Sequence, residues 1–103
     1  MRRGTTPTYE ITLTDVSMAT VDDICLAFKQ TYSGVELTMH LSDGDLTLTD
    51  DGATCTLTQE QTNKFAAGKD VMRQVKVKFT DGTVGTSKIE TENVYDVLHV
   101  EVL

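Results

Sequence analysis

Most of the chain alternates between apolar and polar residues with a period of two, which is the pattern of β-strands that bury one face. In residues 22–30, for example, Ile24, Leu26 and Phe28 fall on one face. We therefore expect an all-β fold of about seven short antiparallel strands. Runs of this kind predict strands over residues 8–14, 22–30, 35–40, 46–49, 53–57 and 71–79, and less clearly over 84–90.

Short sequences rich in Asp, Ser and Gly separate the predicted strands. Residues 31–34 (TYSG), 50–52 (DDG) and 80–83 (TDGT) are typical of tight turns, and the last is the clearest hairpin signal. Asp and Gly tolerate the positive φ that hairpin turns need. Residues 42–45 (SDGD) are interpreted in the same way, as a hairpin turn between the strands on either side.

One segment departs from the alternation and contains Thr58, then Gln61 three positions later, then Gly68. The spacing of the first two is that of a capping box, and glycine is a common helix stop. We therefore predict one short helix over residues 59–66, before the penultimate strand, with Phe65 anchoring it to the core.

Several short strands and one helical turn describe a β-sandwich, because a single half-buried sheet would leave one face unsupported in a chain of 103 residues. A small closed barrel is the main structural rival. We expect one domain over residues 1–103. Its ends would be an N-terminal arm at residues 1–7 and a final strand or docking segment at residues 94–103.

Composition narrows the functional classes. The formal charge is −7, with no basic cluster beyond Arg2–Arg3, which disfavours nucleic acid binding. No apolar run approaches ~18 residues, and no apolar stretch follows the first arginines, so we expect neither a membrane span nor a secretory signal. The 18 threonines tend to alternate with aliphatic residues and are expected on the solvent faces of strands.

The reactive side chains favour no catalytic or metal site. Cys25 and Cys55 fall on opposite strand phases, which disfavours a disulfide, and two reduced thiols suggest folding in a reducing cytoplasm. His40 and His99 have no recognisable nucleophile arrangement around them. The aspartates cluster at turns, which explains them without a metal. We expect no enzyme activity, no cofactor and no metal.

Two local features suggest partner contacts. Arg73 falls on the inward phase of an otherwise apolar strand, where its charge is costly unless it is paired or at the strand mouth. Its guanidinium either reaches water at the strand end or contacts an acidic neighbour or a partner subunit. Residues 1–8 (MRRGTTPT) are small and polar and carry the only proline, Pro7. They are either a frayed terminus or an arm that orders against a neighbouring subunit.

The sequence resembles a group of small phage and prophage proteins from Gram-positive gut bacteria. The opening MRRGTTPT is the most specific match, and AFKQ at 27–30 and LTQEQT at 57–62 are matches at the level of pattern. The resemblance spans nearly the whole chain but ends after Val94, where YDVLH replaces a basic tail. A final hairpin pattern of the group matches Asp81-Gly82, Ser87, Ile89 and Val94.

The resemblance implies an immunoglobulin-like β-sandwich similar to the N-terminal domain of phage baseplate upper proteins. It implies a non-enzymatic virion structural protein, a tail or baseplate adaptor or accessory subunit, made in the cytoplasm of the bacterial host. The implied partners are other virion proteins and further copies of the chain, without nucleic acid, membrane or small-molecule substrate. With the two local features above, the expected partner-binding residues are Met1, Arg2, Arg3, Gly4, Thr5, Thr6, Pro7 and Arg73.

A host-surface or carbohydrate-binding β-sandwich is the alternative hypothesis. Such a module would present exposed aromatic rings for stacking on a sugar. The chain has only 3 Tyr and 3 Phe, and most of them fall on predicted core positions. Tyr32 and Tyr95 are the two whose positions suit exposure, which leaves this hypothesis less favoured than a structural subunit.

Overall fold

The computed structural model describes residues 1–98, 102 and 103. His99 and part of the predicted C-terminal strand at 94–103 therefore lie outside the described residues. Within them the fold is all-β with one short α-helix. The elements are β1 (Thr8–Thr12), a 3-10 turn (Met18–Thr20), β2 (Val21–Gln30), β3 (Val35–His40), β4 (Thr47–Leu48), β5 (Gly52–Thr56), α1 (Gln59–Asn63), β6 (Asp70–Phe79), β7 (Val84–Thr86) and β8 (Glu90–Asn93).

The strands form two antiparallel sheets arranged as a sandwich. One sheet has the order β1-β5-β4, and the other has the order β3-β2-β6-β7, with β8 also paired to β6. In an immunoglobulin sandwich, strands B, E and D are neighbours in one sheet and strands C, F and G in the other. Here β1, β5 and β4 correspond to strands B, E and D, and β2, β6 and β7 correspond to strands C, F and G. The predicted all-β sandwich is confirmed, and its strand order agrees with that of an immunoglobulin sandwich.

The core lies between the sheets and contains aromatic side chains from both of them. Phe28 of β2 and Phe65, which follows α1, are at most 1% exposed, and their ring centroids are 6.5 Å apart. Tyr9 of β1 meets Phe28 edge-on at 5.1 Å between centroids, an arrangement that the ring quadrupoles favour. Phe65 thus anchors the helical segment, as its sequence position predicts.

Three of the four predicted turns connect paired strands. Residues 31–34 join β2 to β3, residues 50–52 join β4 to β5, and residues 80–83 join β6 to β7. The prediction for residues 42–45 is wrong. They form a tight turn, but it carries the chain from β3 in one sheet to β4 in the other. An Asp-Gly signal favours a turn without determining which sheets the flanking strands join.

The helix begins as predicted but ends at Asn63, three residues early. Thr58 and Gln61 form the reciprocal capping box at its start. Its end is set by a distant side chain, because the main-chain N–H of Ala66 donates to the side-chain oxygen of buried Gln30 at 2.7 Å. A continuing helix would give that N–H to its own carbonyl four residues earlier.

β7 and β8 run along the same edge of β6 and act as one interrupted strand. β7 pairs with the second half of β6 and β8 with the first half. Between them, residues 87–89 lie opposite Gln74 and Val75, one residue more than a regular ladder holds. Ser87 closes this bulge, since the Val75 N–H donates to its Oγ at 2.9 Å. With β7 and β8 counted together, α1 precedes the penultimate strand of the described chain, as predicted.

Candidate interaction site

β1 is an edge strand whose outer side is unpaired within the described part of the chain. The Leu13 N–H donates to the Asp51 carbonyl at 2.7 Å, so the odd-numbered residues at β1 bond to the β5 side. In an antiparallel ladder, the residues between them direct their main-chain groups to the opposite side. The N–H and C=O groups of Thr8, Glu10 and Thr12 therefore face outward, as on an open sheet edge.

An apolar groove of about 680 Å³ runs along this open edge. One wall is β1 with the residues that follow it, and the other is formed by β6 and β7. In an immunoglobulin constant domain, a further strand, strand A, lies beside strand B. The groove thus lies where such a sandwich has an additional strand. Its apolar lining includes Ile11, Leu13, Val16, Val75, Val77 and Phe79.

A polar cluster closes one end of the groove. The guanidinium of Arg73 donates to Glu90 at 2.9 Å and to Glu92 at 3.0 Å. Its central carbon lies 5.4 Å from the ring centroid of Tyr9, and the Tyr9 hydroxyl donates to the other carboxylate oxygen of Glu92. Each charged group therefore has a partner on a neighbouring strand, which is the condition under which partly buried charges are tolerated.

This cluster links the strands that a disulfide and a tryptophan join in antibody domains. Tyr9 lies on β1, Phe28 on β2 and Arg73 on β6, and the ring of Tyr9 contacts both of the others. Burial and the hydrogen bond to Glu92 raise the pKa of Tyr9 above its ordinary value, so its hydroxyl remains a donor at neutral pH. At this point the two sheets are thus joined by the contact between the Tyr9 ring and the Arg73 guanidinium.

Of the environments that the sequence left open for Arg73, the structure shows contact with acidic neighbours. Its side chain is 26% exposed, and its two carboxylate partners, Glu90 and Glu92, lie on β8 of the same chain. The charge is therefore paired without a partner subunit. A role of Arg73 in partner binding stays a prediction.

The N-terminal segment lies against its own chain beyond the end of β8. The Tyr95 N–H donates to the Met1 carbonyl at 2.8 Å, and the Arg3 N–H donates to the Tyr95 carbonyl at 3.0 Å, which makes a short parallel bridge. The Arg2 guanidinium donates to the Asp96 carbonyl at 2.8 Å and lies over the Tyr95 ring. This segment therefore continues the edge of the sheet that β8 forms.

Further contacts hold the same segment to the helix. The Arg3 guanidinium donates to the Asn63 carbonyl at 3.2 Å, and the Thr62 hydroxyl donates to the Thr5 carbonyl at 2.9 Å. The Pro7 carbonyl accepts a hydrogen bond from the residue that follows β5. The expected role of residues 1–7 as an arm on a neighbouring subunit stays a prediction. Such an arm would either use the outer side of this segment or exchange these contacts for others.

The two thiols lie on opposite faces of their strands, as predicted. Cys55 is buried on the inner face of β5, and Cys25 is half-buried on the face of β2 opposite to the core residues. Burial raises the pKa of both thiols, which keeps them neutral and weakly nucleophilic near pH 7.

A second polar cluster fixes the turn after β3. The carboxylate of Asp23 accepts from the Ser42 N–H at 2.9 Å and from the Ser42 hydroxyl at 3.1 Å, and it lies 3.1 Å from His40 Nδ1. A nucleophilic serine donates to an imidazole, whereas this hydroxyl donates to the carboxylate. Burial opposes ionisation of Asp23, but the hydrogen bonds from Ser42 and His40 outweigh it and lower its pKa.

The two tyrosines of the carbohydrate hypothesis are exposed, as their positions predict. Tyr32 is 70% exposed and Tyr95 is 56% exposed. Each ring lies under a cation, with Lys69 Nζ 4.6 Å from the Tyr32 centroid and the Arg2 guanidinium 5.6 Å from the Tyr95 centroid. One face of each ring is therefore occupied by a cation–π contact within the chain.

Neither a metal site nor a membrane helix is found in the described residues. In residues 1–98, 102 and 103, no three His, Cys, Asp or Glu side chains are grouped so as to hold a metal ion. The helices in this part of the chain are too short to cross a membrane.

The sequence patterns identified Arg73 but not the groups around it. Glu90 and Glu92 alternate with Thr91, which indicates that they share one face of a strand. Their register against Arg73 depends on the bulge at residues 87–89, for which the sequence offers no local signal. Tyr9 was expected in the core, but its polar contact with Glu92 requires that register too.

Comparison with known proteins returns no relative of this chain. No protein-family model matches the sequence, and no curated protein and no solved structure matches it.

Proposed function

We propose that this chain is a non-enzymatic structural protein of a bacteriophage particle. It acts as an adaptor or accessory subunit of the tail or baseplate, through contacts with other virion proteins and with copies of itself. The observation that carries the proposal is the open edge of β1 beside its apolar groove.

An open edge and a groove together provide what an added β-strand needs. The outward main-chain groups of Thr8, Glu10 and Thr12 offer hydrogen bonds to an incoming strand of any sequence. The groove offers burial to every second side chain of that strand, which gives the contact its selectivity. Contacts of this kind suit a protein whose task is assembly.

The phage part of the proposal rests on the sequence resemblance. The opening MRRGTTPT is its most specific element, and it lies in the segment that continues the β8 edge. That segment and the open β1 edge are two separate surfaces of one small domain. An adaptor that joins two neighbours needs two surfaces. We therefore favour this role over that of a subunit that binds a single neighbour at the outside of the particle.

Mass spectrometry of purified particles tests the proposal. Particles from a strain that carries the gene are separated on a density gradient, and peptides of this chain are measured against those of a tail protein in each fraction. We expect a constant ratio across the particle peak, and loss or truncation of tails in a gene-deletion strain that the intact gene restores. Detection in the unassembled fractions alone, with normal particles after deletion, would show that the proposal is wrong.

Carbohydrate binding is the second candidate, and the exposed rings of Tyr32 and Tyr95 favour it. A glycan array with the purified chain tests it, with Tyr32→Ala and Tyr95→Ala as the informative variants. Binding that either variant abolishes would support this candidate. Binding that neither variant changes would place the sugar site away from these two rings, and no binding would remove the candidate.

A further inference from the structure

Two apolar surfaces of this chain are uncovered within the described residues. The first is the groove beside β1. The second is formed by described residues of the C-terminal segment (residues 97–103), among which Leu98 and Leu103 are fully exposed and Val102 is 45% exposed. Exposed apolar side chains that lie close together in sequence are a common sign of a contact with another molecule.

The C-terminal segment has the sequence of a strand with one apolar face. Leu98, Val100 and Val102 occupy one phase, which is wholly apolar, whereas the other phase is mixed and contains Val97, His99, Glu101 and Leu103. An extended segment of this length spans ~23 Å, which matches the stretch of chain over residues 8–14 that lines the groove. The pattern and the length both fit the open edge of β1.

The end of this segment contacts α1 and does not line the groove of its own chain. The Leu103 N–H donates to the side-chain oxygen of Gln59 at 2.7 Å, at the first residue of α1. The groove is lined by β1, β2, β6, β7, the first residue of β8 and the adjoining loops, and α1 is not part of its lining. Leu103 is thus held at the start of α1 and is not part of the groove lining.

We propose that residues 97–103 of one copy insert as an additional β-strand into the groove beside β1 of a second copy. The strand bonds to the outward main-chain groups of β1, and Leu98, Val100 and Val102 face the apolar lining. This inference rests on the proposed function, because it names the contact that joins copies of the subunit. A contact between two different surfaces is heterologous, so repetition of it builds rings or linear assemblies.

Two full-length variants separate the two halves of this contact. Thr12→Pro removes an outward N–H, and proline is tolerated on an edge strand where that N–H faces solvent. Thr12→Val keeps the N–H and serves as its control. Leu98→Ser with Val102→Ser makes the C-terminal segment polar and leaves the groove intact. Circular dichroism and thermal melting check that each variant folds.

Sedimentation velocity over a wide range of concentrations is the measurement. We expect the natural chain and Thr12→Val to associate as concentration rises, and the Thr12→Pro chain and the polar-tail chain each to dissociate at least about tenfold more readily. An equimolar mixture of those two variants should form a one-to-one dimer that grows no further. That mixture contains one intact groove and one intact C-terminal segment for each pair.

Three outcomes of the sedimentation experiment would overturn the inference. They are a natural chain that is monomeric throughout, variants that associate as the natural chain does, and a mixture that forms no dimer. Hydrogen exchange at the main-chain N–H groups of Glu10 and Thr12 tests whether the segment inserts into the groove of its own chain instead. Such insertion would protect these groups at every protein concentration, and the protection would be lost in the polar-tail variant. That result would also overturn the inference. A chain that is monomeric in solution but present in particles would leave the proposed function standing and remove strand insertion alone.

Discussion

The guanidinium of Arg73 stacks on the ring of Tyr9 across the two sheets, with 5.4 Å between the guanidinium carbon and the ring centroid. β6 and β1 belong to different sheets, so this contact bridges the sandwich. Glu92 completes it, because its carboxylate accepts from both Arg73 and the Tyr9 hydroxyl. The three side chains form a closed network in which loss of one member affects the other two.

Replacement of Arg73 by methionine should destabilise the fold by about 2 kcal/mol, because Glu92 is 23% exposed and keeps only the more distant N-terminal ammonium of Met1, 3.8 Å away, as a cationic partner. The free energy of unfolding in urea is the measurement. Lys76→Met is the matched control on the same strand, and its exposed side chain predicts a change within ~0.5 kcal/mol. Equal losses in the two variants would contradict the network.

A double-mutant cycle with Arg73→Met and Glu92→Gln should give a coupling free energy of about 1 kcal/mol or more, since the two groups share one hydrogen bond and one charge pair. Each single variant and the double variant are unfolded in urea under the same conditions. Strict additivity would mean that the two side chains act independently, contrary to the geometry.

Replacement of Gln30 by alanine should cost about 3 kcal/mol, because a fully buried amide is lost and several main-chain groups lose their partner. Gln30 donates to the carbonyls of Ala66 and Lys69 at 2.9 and 3.2 Å and accepts from the Ala66 N–H. Gln74→Ala, whose hydrogen bond to Ser87 is exposed, is the matched control and should change stability by less than ~1 kcal/mol. Chemical denaturation of both variants gives the comparison, and similar losses would refute it.

Asp23→Asn should lower stability at pH 7 by on the order of 1 kcal/mol, since the amide cannot replace the carboxylate towards both Ser42 and His40. The folded state lowers the pKa of Asp23 below its ordinary value of 3.8. The advantage of the natural chain is therefore fully present above pH 3.8 and is lost as pH falls through the lower pKa of the folded state.

Urea unfolding from pH 7 down to pH 2.5 measures this dependence for Asp23. Asp22→Asn is the control, because Asp22 is exposed and lies 3.9 Å from Lys78, at the limit of an ion pair. It should change stability by less than ~0.5 kcal/mol at any pH. A difference between the natural chain and Asp23→Asn that does not shrink towards acid would count against the carboxylate as its cause.

Gly52→Ala should abolish folding or cost at least ~3 kcal/mol, because an added Cβ would lie 1.7 Å from the Ile11 carbonyl oxygen of the paired strand. Gly85→Ala is the matched control on β7, where the nearest atom to an added Cβ is a ring carbon of Phe79 at 3.8 Å. It should change stability by less than ~1 kcal/mol. Thermal melts of the two variants make the test, and a well-folded Gly52→Ala chain would show that β1 and β5 separate more easily than their register implies.

The sequence predicted the elements that local physics determines. Alternation placed Ile24, Leu26 and Phe28 on the buried face of β2, and the spacing of Thr58 and Gln61 predicted the start of α1. Each of these signals is contained within a few residues, so a single segment is enough to read it.

The remaining features depend on residues that are distant in sequence. The end of α1 is set by Gln30, more than thirty positions earlier. Residues 42–45 form the expected turn, but the choice of sheet for β4 depends on its pairing with β5. The surroundings of Arg73 and the groove beside β1 depend on how two sheets are registered and packed, which no local pattern specifies.

The bulge at residues 87–89 decides which chemistry meets Arg73. Pairing of Lys76 with Thr86, continued one for one along β6, would bring Ile89 opposite Arg73; the extra residue brings Glu90 there instead. Deletion of one residue at this point would therefore exchange an acidic neighbour for an apolar one and leave a positive charge unneutralised between the sheets. At this edge the number of residues between β7 and β8, as much as their identity, determines whether the charge of Arg73 is neutralised.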